Sequence, residues 1–244
     1  MPRHRLYGTI LLLAGLAACR AESQDPPPPA QVLFIGNSLT AFNELPDLMV
    51  RVARSAGDSE IAAVMVARPN YAILDHWEDG TALDELRTKR WTHVVLQQGP
   101  SSQEEGAVWL RDGMRRFDPV VRAAGAEPVL YMVWPQRSRA ADFPGVLRNY
   151  RDAAALVNGI FAPAGDAWVA AFEADPAAPL YGPDDFHPSL EGSYLAAVVL
   201  LARVRGIDPL SLPSTIPGSS LPEPRVRALQ RAAVVALERN PARP

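Results

Sequence analysis

Residues 32–40 read Val-Leu-Phe-Ile-Gly-Asn-Ser-Leu-Thr, an unbroken apolar run that stops at Gly36 and is followed two residues later by the hydroxyl of Ser38. Apolar runs of this kind are typical of parallel strands that are buried on both faces. A side chain that follows such a strand lies at the carboxyl edge of the sheet, where open α/β sheets bind their ligands. The stretch therefore predicts a parallel sheet with Ser38 at its functional edge.

The rest of the chain alternates short apolar runs with longer amphipathic segments, which predicts strands and helices in turn. The predicted strands are residues 32–35, 61–66, 94–96, 129–133 and 161–164. The predicted helices are residues 45–56, 81–89, 107–124, 143–157, 190–204 and 224–238. Asn43 is the expected N-cap of the first helix. This alternation predicts one domain over residues 31–244, a three-layer α/β/α sandwich around a five-stranded parallel sheet.

A second stretch near the other end of the chain, residues 184–189, reads Asp-Asp-Phe-His-Pro-Ser. In this turn-forming context Asp184 can fold back onto one ring nitrogen of His187 while the other nitrogen faces outward. A serine hydroxyl needs such a base, and the base needs a group that fixes its tautomer. We therefore predict Ser38 as nucleophile, His187 as base and Asp184 as orienting group, with Asp185 capping backbone amides. The other histidines are less well placed: His4, His76 and His93.

Three sequence blocks resemble the SGNH (GDSL-type) hydrolases, in a bacterial branch that has GNSLT where others have GDSL. They are GNSLT at residues 36–40, WTHVVLQQ at 91–98, and FHPS followed by GSYLAA within 186–197. The resemblance covers roughly residues 31–206, with the blocks in the expected order. It implies the flavodoxin-like SGNH hydrolase fold and ester hydrolysis through an acyl-enzyme on Ser38. It implies no cofactor and no metal.

The resemblance also implies where oxyanion donors lie. The first is the backbone amide of Ser38. Asn70 stands where the family has a glycine whose amide donates, and asparagine tolerates unusual backbone angles nearly as well as glycine. Gln97 and Gln98 stand near the family's donor asparagine, and strand alternation means that only one of them should face the site. Asn37 replaces the family's aspartate and is given a structural role.

The tryptophans are predicted to pack in the core or at its rim rather than to serve as platforms for sugars. They are Trp77, Trp109, Trp134 and Trp168. Trp134 is the exception to follow, because it leaves the fourth strand at the catalytic edge.

The amino terminus has the features of an export signal. Arg3 and Arg5 precede an apolar run over residues 9–18, which is too short for a mature membrane span. Residues 16–19, Leu-Ala-Ala-Cys, look like a lipobox, which predicts a signal peptide over 1–18 and lipidation of Cys19. Four prolines at 26–29 then give residues 19–30 the composition of a stiff tether. A plain secretory signal cut near Ala18 is the alternative.

Composition narrows the choice of function. The net charge of −3 and the scattered basic residues argue against a nucleic-acid partner, and no residue spacing suggests a metal site. The prediction is an exported, membrane-anchored lipoprotein facing the periplasm or cell surface. It would hydrolyse esters and remove small acyl groups such as acetyl from a carbohydrate or glycan at the envelope. The alternatives are a lipid or thioester acyl hydrolase, an acyltransferase with the same serine, and a non-catalytic glycan-binding lipoprotein.

Overall fold

The computed structural model describes residues 29–216 and 218–244. The predicted signal peptide, Cys19 and the tether up to residue 28 lie outside the described residues. The first strand begins at Ala30, one residue before the predicted start of the domain.

The sheet has five parallel strands, and all five were predicted. They are β1 (Ala30–Gly36), β2 (Ile61–Ala67), β3 (His93–Leu96), β4 (Glu127–Tyr131) and β5 (Ile160–Ala162). Their order is β2-β1-β3-β4-β5, so β1 lies between β2 and β3. Phe34 pairs with Met65 on one side and with Val95 on the other. This order is that of flavodoxin-like sheets, in which ligands bind at the switch point between β1 and β3.

Helices cover the sheet on both faces, and the six predicted helices are confirmed to within a few residues. They are α1 (Ser38–Ala41), α2 (Leu45–Ser55), α3 (Ile73–Asp79), α4 (Thr81–Leu86), α5 (Glu104–Ala123), α6 (Phe143–Leu156), α7 (Ala164–Ala174), α8 (Leu190–Arg205) and α9 (Glu223–Arg239). The helices form two packed groups. In the first, α8 packs against α2, α7 and α9, and in the second, α5 packs against α3 and α6. The predicted three-layer α/β/α fold is confirmed. No helix in residues 29–216 and 218–244 is long and apolar enough to cross a membrane.

Helix α7 was not predicted because it has no polar face that would reveal its period. Most of its residues are buried, and its first residue, Ala164, was assigned to the preceding strand. A Cβ atom on Gly165 would lie 2.3 Å from the carbonyl oxygen of Val133. The helix therefore needs a glycine where it passes the end of β4.

The predicted N-cap at Asn43 is wrong. The residue before α2 is Glu44, and both Asn43 (φ 53°) and Glu44 (φ 51°) have left-handed backbone angles. The Asn43 side chain instead donates to the carbonyl oxygen of Pro188 at 3.1 Å and to the hydroxyl of Ser193 at 2.8 Å. Asn43 therefore ties the segment after Ser38 to the distant block that contains His187.

Candidate active site

The Ser38 hydroxyl is held in a short turn between β1 and α1. Asn37 caps α1, and its Oδ1 accepts a hydrogen bond from the amide of Leu39 at 3.0 Å. Ser38 is the first residue of the helix, and its own amide donates to no acceptor among the described residues. A Cβ atom on Gly36 would lie 2.5 Å from both Gln97 Oε1 and Thr40 Oγ1, so the turn requires glycine. The turn thus presents a hydroxyl beside a free amide.

Gln97 lies directly after the adjacent strand β3 and braces this turn. Its Oε1 accepts from the amide of Asn37 at 2.9 Å and from the hydroxyl of Thr40 at 2.7 Å. Its amide group donates to Asn37 Oδ1 at 3.0 Å and to the carbonyl of Gln98 at 2.5 Å. Both hydrogens of the side-chain amide are therefore committed, and the fully buried Gln97 has none left for a substrate.

Gln98 is committed in the same way. Its Nε2 donates to the hydroxyl of Ser101 at 2.7 Å and to the carbonyl of Gly106 at 3.1 Å, and its Oε1 accepts from the amide of Ile73 at 3.3 Å. The expectation that one of the two glutamines offers a side-chain oxyanion donor does not fit these contacts. Strand alternation could not reveal this, because it indicates which way a side chain points and not which groups its amide bonds to.

The second half of the site is the turn that carries Asp184 and His187. His187 Nε2 lies 2.9 Å from Ser38 Oγ, and His187 Nδ1 lies 2.5 Å from Asp184 Oδ2. The other carboxylate oxygen, Oδ1, accepts from the amides of Phe186 at 3.1 Å and His187 at 2.9 Å. The structure therefore brings Ser38, His187 and Asp184 together in one hydrogen-bonded chain, although Ser38 is 149 residues from His187.

The charge state of Asp184 determines the tautomer of His187. The hydrogen bond to the His187 ring, helped by the two backbone amides, lowers the pKa of Asp184 to about 2. An ionised carboxylate only accepts hydrogen bonds, so the His187 proton sits on Nδ1. With Nδ1 as the donor to Asp184, Nε2 is the ring atom that faces the Ser38 hydroxyl.

Two further residues, Trp134 and Arg137, hold this turn against the end of β4. Trp134 Nε1 donates to the carbonyl of Phe186 at 3.0 Å, and its ring stacks on Trp168 at 3.7 Å. Arg137 pairs with the Asp185 carboxylate at 2.6 Å and lies over the ring of Tyr181. Asp185 was predicted to cap backbone amides, but Asp184 takes that role while Asp185 forms the ion pair. Sequence reasoning missed Arg137, because no motif links it to residues 184–187.

A stacking contact on the His187 ring was also missed. The ring of Phe42 lies parallel to the imidazole, with 3.9 Å between ring centroids and 12° between planes. Phe42 lies between α1 and Asn43. The contact therefore depends on the bonds by which Asn43 holds this segment against the block that contains His187. Phe42 covers one face of the imidazole and limits the orientations of the ring.

Asn70 has the backbone geometry that the sequence suggested. Its φ of 64° lies in the left-handed region that favours glycine, and asparagine is one of the residues that tolerate it. The residue is exposed and lines the same cleft as Ser38. None of the described residues accepts a hydrogen bond from its backbone amide. The Asn70 amide is thus a second backbone amide without an acceptor among the described residues, on a residue that lines the cleft.

The competing histidine His76 is excluded as a base by its surroundings. It is fully buried, and its Nε2 lies 2.8 Å from the carbonyl oxygen of Gly36. Burial lowers its pKa, and its Nδ1 has no hydrogen-bond partner within the described part of the chain. Through its contact with the Gly36 carbonyl, His76 supports the turn that carries Ser38.

The cleft at Ser38 has a volume of about 320 Å³. Its lining residues are Asn37, Ser38, Asn70, Tyr71, Ala72, Gln98, Gly99, Pro100, Ser101, Gly106, Trp109 and Phe186. Of the described residues that line it, none carries a charge. No group of three or more His, Cys, Asp or Glu residues that could hold a metal occurs in residues 29–216 and 218–244. A larger cleft of about 540 Å³ beside Trp77 and Leu86 contains none of these catalytic candidates.

Solved structures resemble this fold, whereas no protein-family model and no curated protein matches the chain. A proposed SGNH hydrolase from Slackia heliotrinireducens is 26% identical and aligns with a TM-score of 0.59 over 71% of this chain and 97% of its own. The chain has the SGNH hydrolase fold. A DUF4886 family protein from Bacteroides uniformis is 17% identical, with a TM-score of 0.63 over 86% of this chain and 95% of its own.

Esterases occur among the structures that share the SGNH hydrolase fold. An acetylxylan esterase from Geobacillus stearothermophilus, solved as a catalytic mutant, is 16% identical, with a TM-score of 0.58 over 75% of this chain and 97% of its own. The neighbours agree with the predicted class of enzyme, a serine carboxylic ester hydrolase. The predicted fold class is confirmed. The GNSLT branch and the lipid anchor stay predictions.

Proposed function

We propose that this protein hydrolyses carboxylic esters with Ser38 as nucleophile, His187 as general base and Asp184 as the group that orients His187. The continuous hydrogen-bond chain from Asp184 through His187 to Ser38 carries the proposal. The lowered pKa of Asp184 keeps its carboxylate ionised, so Nδ1 of His187 donates to it and Nε2 is left facing Ser38.

The reaction runs in two halves. Ser38 Oγ attacks the ester carbonyl carbon while His187 Nε2 takes the hydroxyl proton, and the same proton is then given to the departing alkoxide as the C–O bond breaks. Water attacks the resulting acyl-serine with His187 again as base. The acid leaves, and the proton returns to Ser38. No cofactor is needed for this sequence.

The oxyanion donors proposed for this reaction are the backbone amides of Ser38 and Asn70. Neither amide donates to an acceptor among the described residues. Asn70 has a left-handed backbone angle, at the position where the family has a glycine. Losing one such donor typically costs about 3 kcal/mol of transition-state stabilisation. Gln97 and Gln98 then act on the reaction only by fixing the turn and the cleft wall.

The proposed substrate is a short acyl ester, such as an acetyl group, carried by a carbohydrate of the cell envelope. An uncharged cleft of about 320 Å³ supports this, since it lies at the small end of ligand sites, which span roughly 300–1,000 Å³. The named acetylxylan esterase has the same fold. Acyl transfer to a sugar hydroxyl would use the same serine and differs only in the group that attacks the acyl-enzyme.

A series of p-nitrophenyl esters from acetate to palmitate, assayed on the purified protein, tests this proposal. The expected result is that kcat/KM is highest for acetate or butyrate and at least tenfold lower from octanoate onwards, because the cleft is small. Highest activity on palmitate would favour a lipid hydrolase. No turnover of any ester, with no covalent labelling of Ser38, would favour the non-catalytic glycan-binding lipoprotein.

We also propose that Cys19 carries a lipid that holds the protein at the membrane, facing the periplasm or cell surface. The lipobox and the four prolines after it support this. Cys19→Ala is expected to release the protein from the membrane fraction while esterase activity is unchanged. Mass spectrometry of the mature wild-type amino terminus is the direct check. An unmodified terminus at or beyond residue 19 would mean ordinary secretion.

A further inference from the structure

Trp109 is placed unlike the other large apolar side chains of the chain. It lies in the second turn of α5 and is 48% exposed, more than any other large hydrophobic residue among those described. Its helix neighbours Ala107 and Leu110 are buried and face the core. The indole instead lines the cleft that contains Ser38. The sequence-based expectation of core or rim packing does not explain an indole left open to solvent at this position.

The position of Trp109 relative to Ser38 is fixed by hydrogen bonds. Gln98 donates to the carbonyl of Gly106 at the start of α5 and accepts from the amide of Ile73 at the start of α3. The side chain of Gln98 thus connects the end of β3 with the helix that carries Trp109. The backbone that carries Trp109 is therefore fixed relative to the end of β3 before any ligand arrives, which lowers the entropic cost of binding.

The remaining cleft wall selects for a neutral, partly polar ligand. Tyr71 and Phe186 add aromatic surface, and Asn70 adds amide groups that are exposed at the rim. With no charged residue among the described lining, nothing compensates a phosphate or carboxylate on the ligand. A pyranose ring fits this combination, because its C–H face packs on an aromatic ring while its hydroxyls bond to amides.

We propose that Trp109 is a stacking platform for the pyranose ring of the alcohol part of the ester. This inference rests on the proposed ester hydrolysis at Ser38 and names the class of alcohol that the site selects. With the acyl group at Ser38 and the sugar on Trp109, the cleft binds both parts of an acetylated sugar. Trp109 is a specificity residue and takes no part in proton transfer.

The test compares the full-length protein with Trp109→Ala, Trp109→Phe and Val108→Ala. Val108 is the preceding residue on the same helix, is also exposed, and does not line the cleft. The substrates are methyl tri-O-acetyl-β-D-xylopyranoside and ethyl acetate, whose alcohol is too small to stack. Acetate release is measured for both, and the ratio of the two kcat/KM values reports preference for the sugar.

We expect Trp109→Ala to lower this ratio at least tenfold, mainly through KM, while Trp109→Phe and Val108→Ala keep at least half of it. An unchanged ratio in Trp109→Ala would overturn the proposal. So would a selective loss of p-nitrophenyl octanoate hydrolysis, because that would place the acyl chain on the indole.

A binding measurement separates this inference from the proposed function. Calorimetry of the Ser38→Ala protein with methyl β-D-xylopyranoside needs no catalysis. The expected result is weak binding that is lost in the Ser38→Ala, Trp109→Ala double variant. Equal binding by both proteins, or none by either, would refute the platform even if the wild type hydrolyses esters. If the wild type hydrolyses no ester but sugar binding still depends on Trp109, the proposed esterase activity is refuted and the proposed stacking role of Trp109 is retained.

Discussion

Ser38→Ala and His187→Ala are each expected to lower kcat for p-nitrophenyl acetate by at least about 10⁴-fold, and the double variant is expected to be scarcely worse than either. The reason is that the two groups act as one unit across the 2.9 Å contact between Nε2 and Oγ. Without the base the hydroxyl is a poor nucleophile, and without the hydroxyl the base has nothing to activate. The measurement is steady-state kinetics of the three variants.

Matched controls for these variants lie elsewhere in the fold. Among the described residues the Ser55 hydroxyl bonds only to the carbonyl of Val52 in its own helix, and His93 begins β3 at the opposite edge of the sheet. Ser55→Ala and His93→Gln should stay within about threefold of the wild type. Losses that multiply in the Ser38 and His187 double variant would mean that the two residues act independently and would contradict the account.

Asp184→Asn is expected to lower kcat by about 10²–10⁴-fold while leaving the turn intact. The asparagine Oδ1 can still accept from the amides of Phe186 and His187, so the backbone is retained. Its NH₂ group, however, favours a His187 tautomer with the proton on Nε2, which cannot accept from Ser38. The Asp184 side chain is 51% exposed, and solvent screening of its charge makes the loss smaller than that for Ser38.

The pH dependence gives a second check on Asp184. Its pKa, lowered to about 2, keeps the carboxylate charged as pH falls until well below pH 4. Protonation of Asp184 should therefore cause no loss of wild-type kcat/KM above about pH 3.5.

Asp185→Asn, which breaks the ion pair with Arg137, is the control for Asp184→Asn and is expected to lower kcat less than tenfold. An equal loss of kcat in Asp184→Asn and Asp185→Asn would mean that Asp184 acts only through the shape of the turn.

The sequence predicted the parts of this protein that are local in the chain. The apolar run ending at Gly36 places Ser38 at the sheet edge, and the spacing of Asp184 and His187 fits their contact within one turn. All five strands have flanking breaks that define them. The helix α7 was missed because a helix buried on most sides has no amphipathic period.

Several features that the sequence did not reveal depend on distant partners. Gln97 braces Asn37 across 60 positions, and Arg137 holds Asp185 across 48. A glutamine that bonds to a substrate and one that bonds to the protein look alike in sequence, so the oxyanion assignment of Gln97 and Gln98 needed the structure. The same holds for Trp109, because helix period separates buried from exposed faces but does not show which exposed position borders a cleft.

Ester hydrolysis by this protein requires Ser38 to be an activated nucleophile, and covalent labelling with a fluorophosphonate measures this directly. Mass spectrometry of the labelled, digested protein should place one equivalent of label on Ser38 in the wild type. Labelling should be absent in Ser38→Ala and much slower in His187→Ala, because the base generates the attacking oxygen. Label on another serine, or ester hydrolysis that persists in Ser38→Ala, would contradict the account.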